Sequence, residues 1–345
     1  MNSNPVPTST ALRASNCVGR TAWQTRLRVT RSRRTRQRGA ALLIAMIIVT
    51  LVVTLAGSMV WQQWRAVQVE AAERARTQSA WILTGALDWA RLILREDART
   101  GGADHLGEPW AVPLAEARLS TFLAADKDNT DDAPDAFLSG TISDAQARYN
   151  LSNLINDGKV VPAELAALER LCQATGVAAD VAARIAEGLR DASAPVGTTA
   201  SSGTAPLLPR DVRQLAWLGV DGEALRRLEP YVTLLPIRTL INANTAGREV
   251  LVAAIKGLDL ASAERLLQVR QRSHFKSAAD VMAQIPSISN EGEPPIGVVS
   301  SFFEVRGRLR LGDRTLEQRS LVERRGVEIV LLQREQEASR ESAGP

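Results

Sequence analysis

Residues 40–60 read AALLIAMIIVTLVVTLAGSMV, and no charged residue stands between Gly39 and Trp64. As a helix, a 21-residue apolar run reaches about 32 Å at 1.5 Å per residue, enough to cross the hydrocarbon of a bilayer. Trp61 and Trp64 follow it, where interfacial aromatics belong. A soluble core has little use for so long an unbroken apolar helix, so a membrane anchor is the preferred reading.

Charge separates the chain at the same place. The overall balance is Lys+Arg 42 against Asp+Glu 38, with a pI near 9.5. The first 39 residues hold nine arginines and no acid, which leaves 33 basic and 38 acidic groups beyond them, net −5. The basic excess is a property of the leader alone, and the remainder has no general attraction for phosphate. Arginines before the span and few just after it predict a cytoplasmic amino terminus and an external remainder.

Cysteine and histidine are scarce. Cys17 and Cys172 are the only thiols, and Cys17 lies in the leader, so a product lacking the leader has no disulfide framework. His105 and His274 are the only histidines, which leaves little for zinc or histidine-based acid–base chemistry. No Gly-rich phosphate loop, GxSxG or HExxH motif is present, so no catalytic residue is assigned and an enzyme is not expected. Residues 126–135, DKDNTDDAPD, open like a calcium loop, but Asp131 replaces the required glycine and Phe137 the bidentate Glu.

Helical character continues past the span. Leu83, Leu87, Ala90 and Leu94 follow i, i+4, i+7, i+11, and no proline interrupts residues 40–96. The spacing predicts one helix of roughly 57 residues, about 85 Å long, ending at Thr100-Gly101-Gly102. Phe137–Asp144 reads as a strand. Residues 160–286 are rich in Ala and Leu and helical, broken by the loop ASAPVGTTASSGTAP (192–206). Pro162 fits a first helical turn, and Cys172 near that helix's end reads as a buried structural thiol. Two modules follow, Val212–Leu235 and Leu240–Ile285, the second opening on INANTA. From Phe303 the period changes to two: Phe303, Val305, Gly307, Leu309 and Leu311 alternate with Glu304, Arg306, Arg308 and Arg310. Turns at Gly312-Asp313 and Arg325-Gly326, a return over Thr315–Glu323, then Val327, Ile329 and Leu331, predict a three-stranded meander with a disordered tail after Arg334.

The fold class expected is α+β, a long amino-terminal helix packed on a small antiparallel sheet that a large all-helical insert interrupts. The boundaries are a leader over 1–39, a transmembrane half-helix over 40–60, a first sheet part over 61–155, the insert over 156–290, a second sheet part over 291–334 and a tail over 335–345.

Several features carry a resemblance. RQRG/AALLIAMIIV resembles the processing signal of type IV prepilins and type II secretion pseudopilins, which implies cleavage between Gly39 and Ala40 and N-methylation of Ala40. The family's Glu at the fifth mature position is Ile44 here, a departure that suits a subunit at a filament end. LSGTISDAQARYNLSNL (138–154), LINANTAGREVL (240–251) and SSFFEVRGRLRLGDRTLEQRSLVERRG (300–326) resemble the K-type minor pseudopilins of the type II secretion system. That resemblance covers essentially the whole mature chain.

It implies partners in the I, J and H minor pseudopilins, the prepilin peptidase and an inner-membrane assembly platform. It also implies an inner-membrane location with the carboxy-terminal domain in the periplasm. The implied function is a tip subunit that helps initiate the pseudopilus for export of folded proteins across the outer membrane. The implied insert carries SAM-like or helix-hairpin-helix units. Where some relatives carry an acidic calcium loop, this chain has EGLRDASAPVGTTASSG, leaving Glu187 and Asp191. No family-type calcium site, no other metal site and no cofactor are expected. The alternative is a membrane-anchored helix-hairpin-helix DNA-binding protein of the competence-receptor type. It accounts for INANTA and the anchor. It leaves the Gly39 junction and the net −5 unexplained, so no nucleic-acid partner is expected.

Overall fold

A computed structural model of the chain describes residues 38–119, 136–193, 206–286, 294–312 and 314–340. The chain divides into two compact units, Met1–Glu70 and Ala71–Pro345. The described part of the first is helix throughout, and residues 40–70 are exposed along it. It belongs to α1 (Arg38–Thr100), whose apolar stretch is long enough to cross a membrane and has none of its apolar window buried within the chain. At 63 residues the helix is longer than the roughly 57 expected, and it ends at Thr100, where the sequence predicts. Gly101 stops it with φ +66°, a left-handed conformation that costs a glycine nothing, and its N–H caps the Asp97 carbonyl at 3.1 Å.

Within the second unit, α1 buries the stripe read from the sequence: Leu83, Leu87, Ala90 and Leu94 are each at most 5 % exposed. They lie on a five-stranded antiparallel sheet of order β1-β2-β9-β10-β11. Those strands are β1 (Leu114–Arg118), β2 (Ala136–Asp144), β9 (Phe302–Leu311), β10 (Arg314–Arg325) and β11 (Glu328–Arg340). Among the described residues, six two-residue strands lie between β2 and β9: β3 (Tyr149–Asn150), β4 (Ile155–Asn156), β5 (Lys159–Val160), β6 (Val232–Thr233), β7 (Ile241–Asn242) and β8 (Ile296–Gly297). Leu87, Ala90 and Leu94 pack with Trp110, Phe303, Val305, Val322 and Ile329, and Leu83 packs with Ala136, Leu138 and Leu309. Arg91 fastens the helix to the edge strand β11, donating from Nε and Nη2 to the Ile329 carbonyl at 3.0 and 2.7 Å.

In the β2–β9 register Gly140 stands opposite Gly307. A Cβ on Gly307 would lie 3.1 Å from Leu83 Cδ2, so the glycine lets α1 approach the sheet.

The meander is present and joined by two further strands. β1 escapes the sequence reading because LAEAR is short and alanine-rich, and its pairing with β2 is non-local. The disordered tail expected after Arg334 is corrected. β11 continues to Arg340, and every residue from Arg314 to Ser320 on β10 pairs with it. Pairing holds this polar segment where composition suggests disorder. Val327, expected on the last strand, sits at the preceding turn and is 53 % exposed.

The insert leaves the sheet after β2 and returns before β9, so adjacent paired strands are its two stalks. Its helices are Pro162–Thr175, Asp180–Ser193, Gly222–Leu228, Arg248–Ala254, Leu260–Arg272 and Ala278–Ala283, with a 3-10 segment at Val212–Leu218. Pro162 opens the first as expected, and Cys172 is buried, its thiol pushed up to about 11 mainly by burial. Asp221 and Ser277 cap two of the others. One apolar core joins them, and it includes Tyr149, Leu151 and Leu154 at one end and Ile296 at the other. The packing therefore places ARYNLSNL and Pro295–Gly297 with the insert, outside the boundaries 156–290 read from composition. The acidic loop 126–135 and residues 194–205 of the predicted loop lie outside the described residues.

Candidate functional site

The two stalks meet α1 at a buried polar junction. Strand β2 ends at Asp144, whose Oδ1 accepts from Gln146 N at 2.7 Å and so starts a 3-10 turn. Its Oδ2 accepts from Thr245 Oγ1 at 2.6 Å, Ser300 Oγ at 2.6 Å and Asn242 Nδ2 at 2.9 Å. Asn242 also donates to Ser300 Oγ at 2.9 Å and to the Asp104 carbonyl at 3.1 Å. INANTA thus supplies two side chains to a centre whose other members come from β2, the loop after α1 and the approach to β9. Burial raises the pKa of Asp144, against bonds from Ser300, Thr245 and Gln146 that lower it.

Arg324 on β10 extends the junction to the end of α1. It donates to Asp97 Oδ2 at 2.7 Å, to Asp104 Oδ1 at 2.7 Å and to the Ser300 carbonyl, with its guanidinium 5.0 Å from the centre of the Phe303 ring. Asp97, Asp104 and Glu108 each bring a carboxylate oxygen within 4.8 Å of the others, a donor set that could hold a metal ion. Arg324 already binds two of these carboxylates, Asp97 and Asp104, and Glu108 accepts from His105 N at 2.9 Å and Trp110 Nε1 at 2.7 Å. Three neighbouring carboxylates against a single guanidinium carry surplus negative charge. Burial, then the charges of Glu108 and Asp104, push Asp97 up to about 6.

A second ionic cluster covers the opposite face of β9. Glu304 is 2 % exposed and accepts from Arg148 at 2.7 Å, Arg319 at 2.9 Å and Arg306. Arg319 also approaches Asp211 of the insert at 3.5 Å, and Arg213 reaches Glu335 on β11. The expected half-buried strand is therefore buried on both faces at this end, because the insert covers Phe302 and Glu304. Burial opposes ionisation of Glu304, but Arg148 and Arg319 outweigh it and lower its pKa to about 2.

Neither cluster pairs a nucleophile with a base at an open cleft. What this arrangement can do is mechanical: it fixes a helical insert against a helix-backed sheet through bonds that reach across the sequence.

That architecture has counterparts. Family models described as type II secretion system, protein K, match residues 147–237 and 241–298. The type II secretion system protein K of Klebsiella pneumoniae is 30 % identical over 334 residues, covering 87 % of this chain and 96 % of that protein. The chain belongs to the type II secretion system protein K family. The Pseudomonas aeruginosa protein K is 28 % identical over 301 residues, covering 81 % of this chain and 86 % of that one. A chain in the crystal structure of the GspK–GspI–GspJ complex from enterotoxigenic Escherichia coli superposes with TM-score 0.60 at 23 % identity. The match covers 78 % of this chain and 99 % of that one, and it establishes the shared fold. As a protein K the chain is a minor pseudopilin of the type II secretion system. The comparisons lend no support to the anchored DNA-receptor reading.

The residues at which processing is expected lie in the first turns of α1. Gly39 and Ala40 are adjacent in the helix, and Ile44 is an exposed member of the apolar span one turn later. The junction around Asp144 has no sequence signal of its own. INANTA opens the second helical module, but nothing local says that Asn242 meets Asp144 and Ser300.

Proposed function

We propose that this minor pseudopilin caps the pseudopilus tip and helps initiate its assembly, so that folded proteins are exported across the outer membrane. The observation that carries this reading is the insert. It rises from two paired strands and is held to α1 and β10 by the Asp144 and Arg324 junction, so it adds a rigid bulk on which no further subunit can stack. The I and J pseudopilins are its proposed partners. The neighbouring fold comes from a complex with proteins of those names. The H subunit and the inner-membrane platform join them in this reading.

Processing by the prepilin peptidase between Gly39 and Ala40, with methylation of Ala40, is part of the same proposal, supported by the glycine between the last leader arginine and the apolar run. Ile44 supplies no carboxylate to pair a neighbour's amine in hydrocarbon, which fits a terminal position. Nine leader arginines support a cytoplasmic amino terminus in the inner membrane and a periplasmic carboxy-terminal domain. The role is structural: no enzymatic step, nucleic acid, family-type calcium or other cofactor enters it.

The test is the intact mass of the full chain, co-expressed with and without a prepilin peptidase, followed by co-purification with I and J. A peptidase-dependent product beginning at Ala40 that retains both partners is expected. An uncut chain, or a cut one that retains neither, sinks the reading.

A further inference from the structure

The two histidines of this chain, 169 positions apart in the sequence, stack on each other with ring centroids 3.9 Å apart and planes 9° apart. His105 follows α1 and His274 follows the Leu260–Arg272 helix, so the stack joins the sheet-bearing part to the insert. Both rings line an open recess of about 380 Å³ together with Asn244, Arg270 and Arg272; among the described residues no acidic side chain lines it, although Asp104 and Glu108 flank His105. In a chain whose residues 40–345 are net −5, that is a local reversal of charge.

Arg270 is built into the recess. Its Nη1 donates to the carbonyls of Ala243 and Ala246 at 2.8 and 2.6 Å, which fixes the guanidinium plane. Burial lowers its pKa to about 10, and Glu264, the one acid acting on it, makes no ion pair with it. A guanidinium held by one nitrogen keeps its Nε–Nη2 edge, two parallel N–H donors, for a ligand. His105 is fixed too. Its Nδ1 accepts from Gly107 N at 3.1 Å, which puts the proton of the neutral ring on Nε2 as a further donor. Asn244 is spent on Phe275 and serves as wall. Water could solvate one arginine here. It does not account for gathering both histidines and two arginines around a recess without an acid.

We propose that this recess is an oxyanion site, taking a carboxylate or phosphate group whose two adjacent oxygens accept from the free edge of Arg270, with His105 and Arg272 completing the donor set. A recess of this size lies at the small end of ligand pockets, room for a small anion or the end of a larger acidic molecule. The bound group bridges the loop after α1 and the insert. The inference does not depend on tip assembly.

Both histidines report on the site, so untagged full chain in detergent, labelled at histidine, gives two signals in a carbon–proton NMR spectrum. Inorganic phosphate and, separately, acetate are titrated at constant pH against chloride of equal ionic strength. Saturable shifts of both signals are expected with at least one anion. Response to acetate assigns a carboxylate ligand, and response to phosphate alone a phosphoryl one. Arg270→Gln should weaken binding about tenfold or more, the loss of a charge-assisted two-point contact. That variant loses a brace of the INANTA turn, so Arg272→Gln, an exposed side chain, is the second arm. It should weaken binding about threefold with both signals still dispersed. No saturable shift with either anion, or binding unchanged in Arg272→Gln and in a folded Arg270→Gln, overturns the proposal.

Discussion

Asn242 donates from Nδ2 to Asp144 Oδ2 at 2.9 Å across 98 positions of sequence, and through this bond the insert is tied to the strand it springs from. The amide oxygen of Asn242 accepts from Asn244 N at 2.9 Å, so one side chain shapes the INANTA turn and docks it.

Replacing it tests the junction. Asn242→Ala leaves the Asn244 N–H without its acceptor and takes a donor from the Asp104 carbonyl, Asp144 and Ser300, all in a dry site. Each buried polar group left unpaired costs about 1–3 kcal/mol, so a total loss of about 2–4 kcal/mol is expected. Urea unfolding of the full chain in detergent measures it. A loss below about 1 kcal/mol would mean that the insert does not depend on this dock.

Glu304 makes stability depend on acid. Its pKa falls from 4.5 to about 2 on folding, so its contribution is complete above pH 4.5 and disappears as pH falls toward 2. The shift corresponds to roughly 3 kcal/mol at most. Glu304→Gln should flatten the unfolding profile in that window. At neutral pH the same variant should be less stable by about 3–5 kcal/mol, because Arg148 and Arg319 lose their buried partner. Equal acid slopes in the two proteins would show that Glu304 is not held by those arginines.

How far the sequence carries this fold depends on range. The stripe from Leu83 to Leu94 is periodic within one element, so its burial is legible from spacing alone. So are the turns at Gly312 and Arg325-Gly326, where the residue types and the flanking alternation agree. Glu304 shows the limit. It reads as an outward position by alternation, yet it is buried because a domain from elsewhere in the chain covers it. β11 shows the converse: QREQEASR carries no strand signal, and its order comes from pairing along β10. The processing expected at Gly39 and Ala40, with Ile44 at the fifth mature position, rests on a linear pattern that takes no account of topology. The Asp144 junction is not legible in this way, since its members are scattered over 97–324 and only the topology gathers them.

Gly188 weighs propensity against packing. It lies inside the Asp180–Ser193 helix, where alanine would gain about 1 kcal/mol. A Cβ there would stand 2.9 Å from the Leu218 Cβ, a contact that cannot be relieved by rotating a side chain. Overpacking of this kind costs about 1–3 kcal/mol, so Gly188→Ala is expected to be destabilising overall. A rise in thermal midpoint would show that the Val212–Leu218 segment can move away from the helix.

Asp97 gives the chain a second pH dependence, of opposite sign. Its pKa is raised from 3.8 to about 6 by burial and by the neighbouring Glu108 and Asp104 carboxylates. The proton favours the folded state, so the contribution is complete below pH 3.8 and is lost as pH rises through 6. Asp97→Asn mimics the protonated form at every pH and keeps an acceptor for Arg324, which still holds Asp104. The variant should match the wild type below about pH 3.8 and exceed it above about pH 6, as calorimetric midpoints across that range would show. A constant gap between the two proteins at all pH values would mean that Arg324 neutralises the whole cluster and that Asp97 carries no proton in the folded chain.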